Sequence, residues 1–127
     1  MQEFTRQRID VSKLPESVVQ KWSPTALAEG FVPFPKKLVR CMQRIFADGN
    51  CAKELAVVLA IADFKRPNLT RPPSLAYLSF LAGCDEGEFD ATLRQLESKG
   101  YAHAVRTAEG VEVSLQGLLD AIQRQTE

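Results

Sequence analysis

Apolar residues recur at helical spacing along most of the chain after residue 35. In residues 36–48 they form one stripe of a 3.6-residue period, and Gly49 is placed to end the helix. The stripe consists of Leu38, Val39, Met42, Ile45 and Phe46. After Asn50, a suitable N-cap, apolar residues surround the helix axis as far as Phe64, which predicts a central helix buried on most sides.

Caps and spacing predict three further helices. Ser74 is suited to cap a helix over residues 75–82, and Asp85, which follows the helix-breaking Gly83, is suited to cap another that runs to Lys99. The positions of these two helices that we expect to face inward are Leu75, Leu78, Leu81, Phe89, Leu93 and Leu96. The last helix has an apolar face made of Leu115, Leu118, Leu119 and Ile122.

A β-hairpin is predicted between the last two helices. Residues 101–106 and 111–115 are predicted as strands, and residues 107–110 supply the turn, with Gly110 available for a positive φ. Residues 66–73 are predicted as a loop that contains a short strand at 68–70.

Residues 1–30 differ from the rest of the chain. Pro15 and Pro24 interrupt them, and their apolar residues are scattered. We interpret this segment as an N-terminal arm with a short helix over residues 15–22, which packs on the domain of residues 31–127 or on a second copy. Trp22 is either an anchor of such an interface or part of the chain's own core.

One stretch of the sequence carries a family resemblance. The run Leu78-Ser79-Phe80-Leu81-Ala82-Gly83-Cys84-Asp85 resembles the first helix and turn of bacterial winged helix-turn-helix regulators. Phe89 and the run Leu93-Arg94-Gln95-Leu96-Glu97-Ser98-Lys99-Gly100-Tyr101 resemble the second helix and its exit into the wing, without a gap across residues 78–101. The resemblance implies a mainly helical α+β fold over residues 31–123: about five helices with a hairpin wing, preceded by the arm.

A second likeness lies at the start of this domain. The run Phe31-Val32-Pro33-Phe34-Pro35-Lys36-Lys37-Leu38-Val39-Arg40 precedes a buried helix that begins at Lys53-Glu54-Leu55. Together these segments look like the start of the winged helix domains in bacterial and phage replication-initiation (primosomal) proteins. That likeness implies binding to the DNA replication machinery and self-association.

The resemblance implies a protein that binds duplex DNA as a dimer, either a transcription regulator or a replication-associated module. In that family the outward residues of the second helix enter the major groove. The matching positions here are Glu86, Gly87, Glu88, Asp90, Ala91 and Arg94. The candidate DNA contacts are Lys36, Lys37, Arg40, Lys65, Arg66, Arg71, Glu88, Ala91, Arg94 and Arg106. The candidate dimer contacts are Trp22, Leu118, Leu119 and Ile122.

The charge pattern leaves a second interpretation open. Sixteen basic residues balance sixteen acidic ones, so the chain lacks the basic excess that phosphate contacts favour. Asp85, Glu86, Glu88 and Asp90 crowd the start of the helix that would read DNA. These carboxylates suit either a solvated helix start, where they complement the helix dipole, or an acidic docking face for a basic protein partner with no DNA binding.

The sequence predicts no enzyme, cofactor or metal site. His103 is the only histidine, no Gly-rich phosphate loop is present, and Cys41, Cys51 and Cys84 form no CxxC pair and are expected to be buried thiols. The apolar run of residues 55–62 is too short to span a membrane, and residues 1–6 lack the features of a signal peptide. We therefore expect a cytoplasmic protein without a membrane partner.

Overall fold

The computed structural model describes residues 10–28, 34–47, 50–64 and 72–125. Their contacts divide the chain into two units, residues 1–33 and 34–127. The predicted cap at Gly49, the strand at 68–70 and the candidate contacts Lys65, Arg66 and Arg71 lie outside the described residues.

The described part of the first unit consists of short helices. A 3₁₀ turn over Val11–Lys13 follows Asp10, whose carboxylate accepts a hydrogen bond from the Ser12 amide at 3.1 Å. Helix α1 spans Glu16–Trp22, which confirms the predicted short helix, with Pro15 as its N-cap. Helix α2, Pro24–Leu27, was not predicted. Its N-cap is Ser23, whose side chain accepts a hydrogen bond from the Ala26 amide.

The second unit is mainly helical with one two-stranded antiparallel sheet, an α+β arrangement. Its helices are α3 (Lys36–Ile45), α4 (Cys51–Phe64), α5 (Leu75–Ala82), α6 (Glu86–Ser98) and α7 (Gln116–Arg124). Strands β1 (His103–Arg106) and β2 (Val111–Ser114) pair so that His103 faces Ser114 and Arg106 faces Val111. Within the described part of the chain, none of the helices has the length and apolar character that a membrane crossing requires.

The core of this unit lies where α4, α5 and α6 pack on one another, with α3 against α7 and β1 against α6. Its largest fully buried apolar side chains are Phe46, Phe89, Leu38, Ile45, Leu78, Leu93, Leu96 and Leu118. The Phe46 and Tyr101 rings meet edge to face, with their centroids 6.3 Å apart. The predicted inward positions Phe89, Leu93 and Leu96 of α6 are confirmed, since all three are completely buried.

Burial in α5 departs from the predicted pattern, whereas burial in α4 follows it. Because α5 contacts both α4 and α6, its buried residues Tyr77, Leu78 and Ser79 follow one another, while Leu75 and Leu81 are half-buried. In α4, the predicted burial on most sides is confirmed, since Val57, Val58, Ala60 and Ile61 are buried, and Leu59, 36% exposed, lies on its solvent-facing side.

Two glycines permit close approaches of the backbone. The predicted positive φ at Gly110 is wrong: its backbone does not enter the left-handed region, but a Cβ there would overlap the Pro73 carbonyl oxygen. The next amide, of Val111, donates to that same oxygen at 2.9 Å. A Cβ on Gly117 would likewise overlap the Gly100 carbonyl oxygen, so glycine lets the start of α7 lie against the chain that leaves α6.

Candidate nucleic-acid interface

The turn between α5 and α6 fixes where α6 begins. Gly83 is left-handed, with φ of 74°, and ends α5, while the Cys84 amide donates to the Ser79 carbonyl at 3.1 Å. Asp85 caps α6 by accepting a hydrogen bond from the Glu88 amide at 2.7 Å, and the Glu88 carboxylate accepts in return from the Asp85 amide. This reciprocal capping box confirms the predicted turn at Gly83 and the predicted cap at Asp85.

Helix α6 presents three kinds of surface around its axis. Its inward side consists of the buried residues Phe89, Thr92, Leu93 and Leu96. Opposite this side runs a line of exposed residues one turn apart, Gly87, Ala91, Arg94 and Ser98, which we call the outward line. The outward line contains no carboxylate, because the acidic residues inside the helix lie at its start or on its two flanks.

On the first flank, Glu88 is paired with α4. Its carboxylate oxygen lies 3.0 Å from the Lys53 Nζ, and both side chains are about half exposed. The hydrogen bond from Lys53 lowers the pKa of Glu88, and the same bond raises the pKa of Lys53. Glu88, which was predicted to contact DNA, is therefore off the outward line and neutralised by a neighbouring helix.

On the second flank, Asp90 and Glu97 are paired with the hairpin. Arg106 of β1 donates through Nε to Asp90 at 2.9 Å and through Nη2 to Glu97 at 2.7 Å. The other oxygen of Asp90 accepts from the Nε of Arg94, one helical turn away, at 2.8 Å. Two carboxylates and two guanidinium groups thus form one neutral network that joins α6 to β1.

The pKa shifts follow from these contacts. Burial on its own raises the pKa of Asp90, but hydrogen bonds from Arg94 and Arg106 outweigh it and leave that pKa below its ordinary value. The pKa of Glu97 is lowered chiefly by the hydrogen bond from Arg106. The pKa of Arg106 is raised, chiefly by Glu97. Asp90 and Glu97 therefore hold their negative charges at neutral pH, where they pair with the guanidinium groups.

Arg106 does not have the geometry of an outward wing residue. Along β1, exposed and half-buried residues alternate, and Arg106 shares the half-buried side with Ala104. Its side chain is 27% exposed and engaged by two carboxylates of α6. The prediction that Arg106 is an outward contact at the wing is corrected: its guanidinium faces α6.

Three predicted DNA contacts, Lys36, Lys37 and Arg40, lie on a different helix pair. Lys36 and Arg40 are exposed on α3, which packs against α7, whereas α6 packs against α4, α5 and β1. Lys37 donates to the Gln123 carbonyl, near the end of α7, at 3.3 Å. These basic residues therefore lie on a helix that packs against a different element from those that α6 packs against.

The four predicted dimer contacts separate into two pairs. Leu118 and Ile122 are 2% and 7% exposed inside a single chain, so the prediction that they contact a second copy is wrong. They form the inward side of α7, with Ala121. Trp22 and Leu119 are 61% and 51% exposed.

One buried ion pair was missed by sequence reasoning. Glu54 of α4 is completely buried, and both of its carboxylate oxygens accept hydrogen bonds from the Lys99 Nζ, at 3.0 and 3.1 Å. Lys99 is the C-cap of α6, so this pair ties α4 to the point where α6 ends. The sequence offers little signal for it, since the two residues are 45 positions apart.

The three cysteines differ in burial. Cys41 is buried as predicted, whereas Cys51 and Cys84 are half-buried. Burial raises the pKa of the Cys84 thiol, with Glu88 and Asp85 adding to the effect, which makes this thiol a weak nucleophile at neutral pH. Among the described residues, His, Cys, Asp and Glu form no group of three that could hold a metal ion.

Comparison with protein-family models, curated proteins and solved structures finds no match for this chain. What supports a function for this chain is therefore the geometry of α6 and its neighbours.

Proposed function

We propose that residues 34–127 form a winged helix-turn-helix domain that binds duplex DNA, with α6 in the major groove. The order of α5, a glycine turn, α6 and a hairpin is the order of that fold. A role as a transcription regulator or as a replication-associated module fits this proposal equally well.

The observation that carries the proposal is the composition of the outward line. Gly87 and Ala91 are small and exposed, so they let the helix approach base edges closely. Arg94 and Ser98, farther along the same line, supply hydrogen-bond donors suited to bases or phosphates. A helix that approaches DNA with this line meets it without a carboxylate at the point of closest contact.

The same helix gives less support to the alternative function, an acidic face that docks a basic protein partner. Asp85 is used as a cap, Glu88 is paired with Lys53, and Asp90 is paired with Arg94 and Arg106. A basic partner would have to displace these internal partners before it gained the attraction of the carboxylates. Glu86, exposed in the first turn, is the exception.

The proposal assigns different roles to the basic residues than the resemblance implied. Arg94 is the contact residue on α6, and Arg106 holds the hairpin against α6. Lys36, Lys37, Arg40, Lys65, Arg66 and Arg71 stay predicted phosphate contacts. Dimerisation stays a prediction, and the exposed Trp22 and Leu119 are the predicted contacts compatible with it.

The proposal is tested by titrating a labelled random-sequence duplex with the full chain at ~50 and ~200 mM salt, where phosphate-driven affinity falls steeply. The variant Ala91→Glu introduces a carboxylate into the outward line. We expect it to weaken binding by roughly tenfold or more, because like charges at an interface cost several kcal/mol.

The matched control is Ala26→Glu, which makes the same substitution at an exposed position of α2. We expect this control to lower affinity far less than Ala91→Glu does. Absence of binding by the unmodified protein at the lower salt would refute DNA binding. Equal losses in the two variants would refute the assignment of the interface to α6.

A further inference from the structure

Four charged side chains form a continuous chain of ion pairs that ends on the outward line. It begins at Glu97, passes through Arg106 of β1 and Asp90, and ends at Arg94. The three successive N···O distances are 2.7, 2.9 and 2.8 Å. Each inner member is therefore held from both sides.

Exposure changes along this chain. The side chains of Glu97, Arg106 and Asp90 are 26–27% exposed, whereas that of Arg94 is 63% exposed. The inner members thus form a partly buried support, and the outer member reaches solvent. Such an arrangement is expected to restrict the rotamers of a long side chain that would otherwise be mobile, which reduces the entropy lost when that side chain binds a ligand.

The atom by which Arg94 is held decides what it presents. Asp90 accepts from Nε, at the side of the guanidinium group. This geometry leaves the two terminal nitrogens, Nη1 and Nη2, to form a planar fork of donors. In the major groove, the base that offers two adjacent acceptors to such a fork is guanine, through O6 and N7.

We propose that Arg94 reads a guanine in the major groove, and that Asp90, Arg106 and Glu97 are positioning residues that aim its guanidinium group. This inference rests on the DNA binding proposed above and goes beyond it by naming the base and the residues that determine the preference. It also gives the hairpin a role in specificity, since Arg106 connects β1 to the reading residue.

The experiment begins with selection of bound sequences from a randomised duplex library by the full chain. The affinity for the selected site is then compared with that for the same site carrying adenine in place of each selected guanine. The ratio of these affinities measures discrimination. For the unmodified protein we expect one position of the site at which guanine is preferred over adenine by roughly 5- to 150-fold, the range of a good bidentate contact.

Three variants test the assignment. Arg94→Gln removes the guanidinium fork and the positive charge, and a glutamine side chain suits adenine rather than guanine, so the ratio should fall to one or below. Asp90→Asn and Glu97→Gln should each reduce the ratio, and Asp90→Asn should reduce it more strongly. Both variants remove a negative charge, so each should raise the overall affinity for DNA. Glu112→Gln, an exposed position on β2, makes the same charge change without touching the network and should leave the ratio unaltered.

The outcomes separate this inference from the proposed function. No binding at ~50 mM salt by any form refutes both. Binding without preference for guanine, or a guanine preference that Arg94→Gln retains in full, refutes the inference and leaves DNA binding intact. A ratio that falls in Arg94→Gln but not in Asp90→Asn refutes the positioning role alone.

Discussion

At the scale of single residues, the contact between Glu54 and Lys99 is the most consequential. Glu54 is completely buried and Lys99 is 16% exposed, so the carboxylate depends on one ammonium group for its compensation. The favourable attraction in such a pair is offset by the loss of hydration of both charges, but removing one partner leaves the other buried and uncompensated.

We therefore expect Lys99→Met to destabilise the protein strongly, by about 3–5 kcal/mol, measured by urea unfolding. The double variant Glu54→Met/Lys99→Met should recover most of this loss, because it removes both charges and retains apolar volume. Lys53→Met, which breaks the neighbouring but exposed pair with Glu88, should have a far smaller effect. Additive losses in the double variant would contradict this description of the pair.

At the scale of elements, Arg106 connects the hairpin to α6 through its ion pairs with Asp90 and Glu97. Asp90 and Glu97 have lowered pKa values in the folded protein. A carboxyl group of this kind stabilises the fold at pH values above its unfolded pKa. It loses that contribution as the pH falls through its folded pKa. The tie between α6 and β1 is therefore expected to be present at neutral pH and to weaken in acid.

The loss of stability caused by Arg106→Met is expected to depend on pH. At neutral pH we expect the variant to be less stable than the unmodified protein by about 1 kcal/mol, since the network is partly exposed. Below about pH 4 the difference should shrink, because protonated carboxyl groups no longer pair with Arg106. Urea unfolding across this range gives the measurement, and Lys36→Met, at an exposed position of α3, serves as a control that should lack this pH dependence.

The elements show which features were predictable from sequence. The caps at Ser74 and Asp85 and the helix-breaking glycine at Gly83 were predicted, because local chemistry decides them. The direction of Arg106 was not predicted, since it depends on which side of β1 meets α6. The reason for Gly110 was also missed, because the obstacle is the Pro73 carbonyl, 37 positions earlier.

The same division applies to the candidate site. Ala91 and Arg94 were predicted as contacts and do lie on the outward line. The four clustered carboxylates suggested an acidic surface, but three of them have partners within the chain, and two of those pairings involve residues outside α6. Sequence shows where charges are placed along a helix, whereas tertiary packing decides which of them are compensated.

At the scale of the whole molecule, the zero formal charge gives DNA no overall attraction, so affinity has to come from where the charges are placed. The internal pairs, Glu54 with Lys99, Glu88 with Lys53, and the network of Arg106, remove equal numbers of positive and negative charges, so the remaining charges also balance. Charges compensated in this way contribute little to the field that a ligand meets, so the line of approach matters more than the sum.

The most direct test of the central claim is an NMR titration of the isotopically labelled full chain with duplex DNA at ~50 mM salt, the range that favours phosphate contacts. We predict that the backbone amide signals of Gly87, Ala91, Arg94 and Ser98 shift most, together with their immediate neighbours on α6. Shifts confined to α3 and α7, or no shifts at all, would contradict the proposal that α6 is the surface that binds DNA.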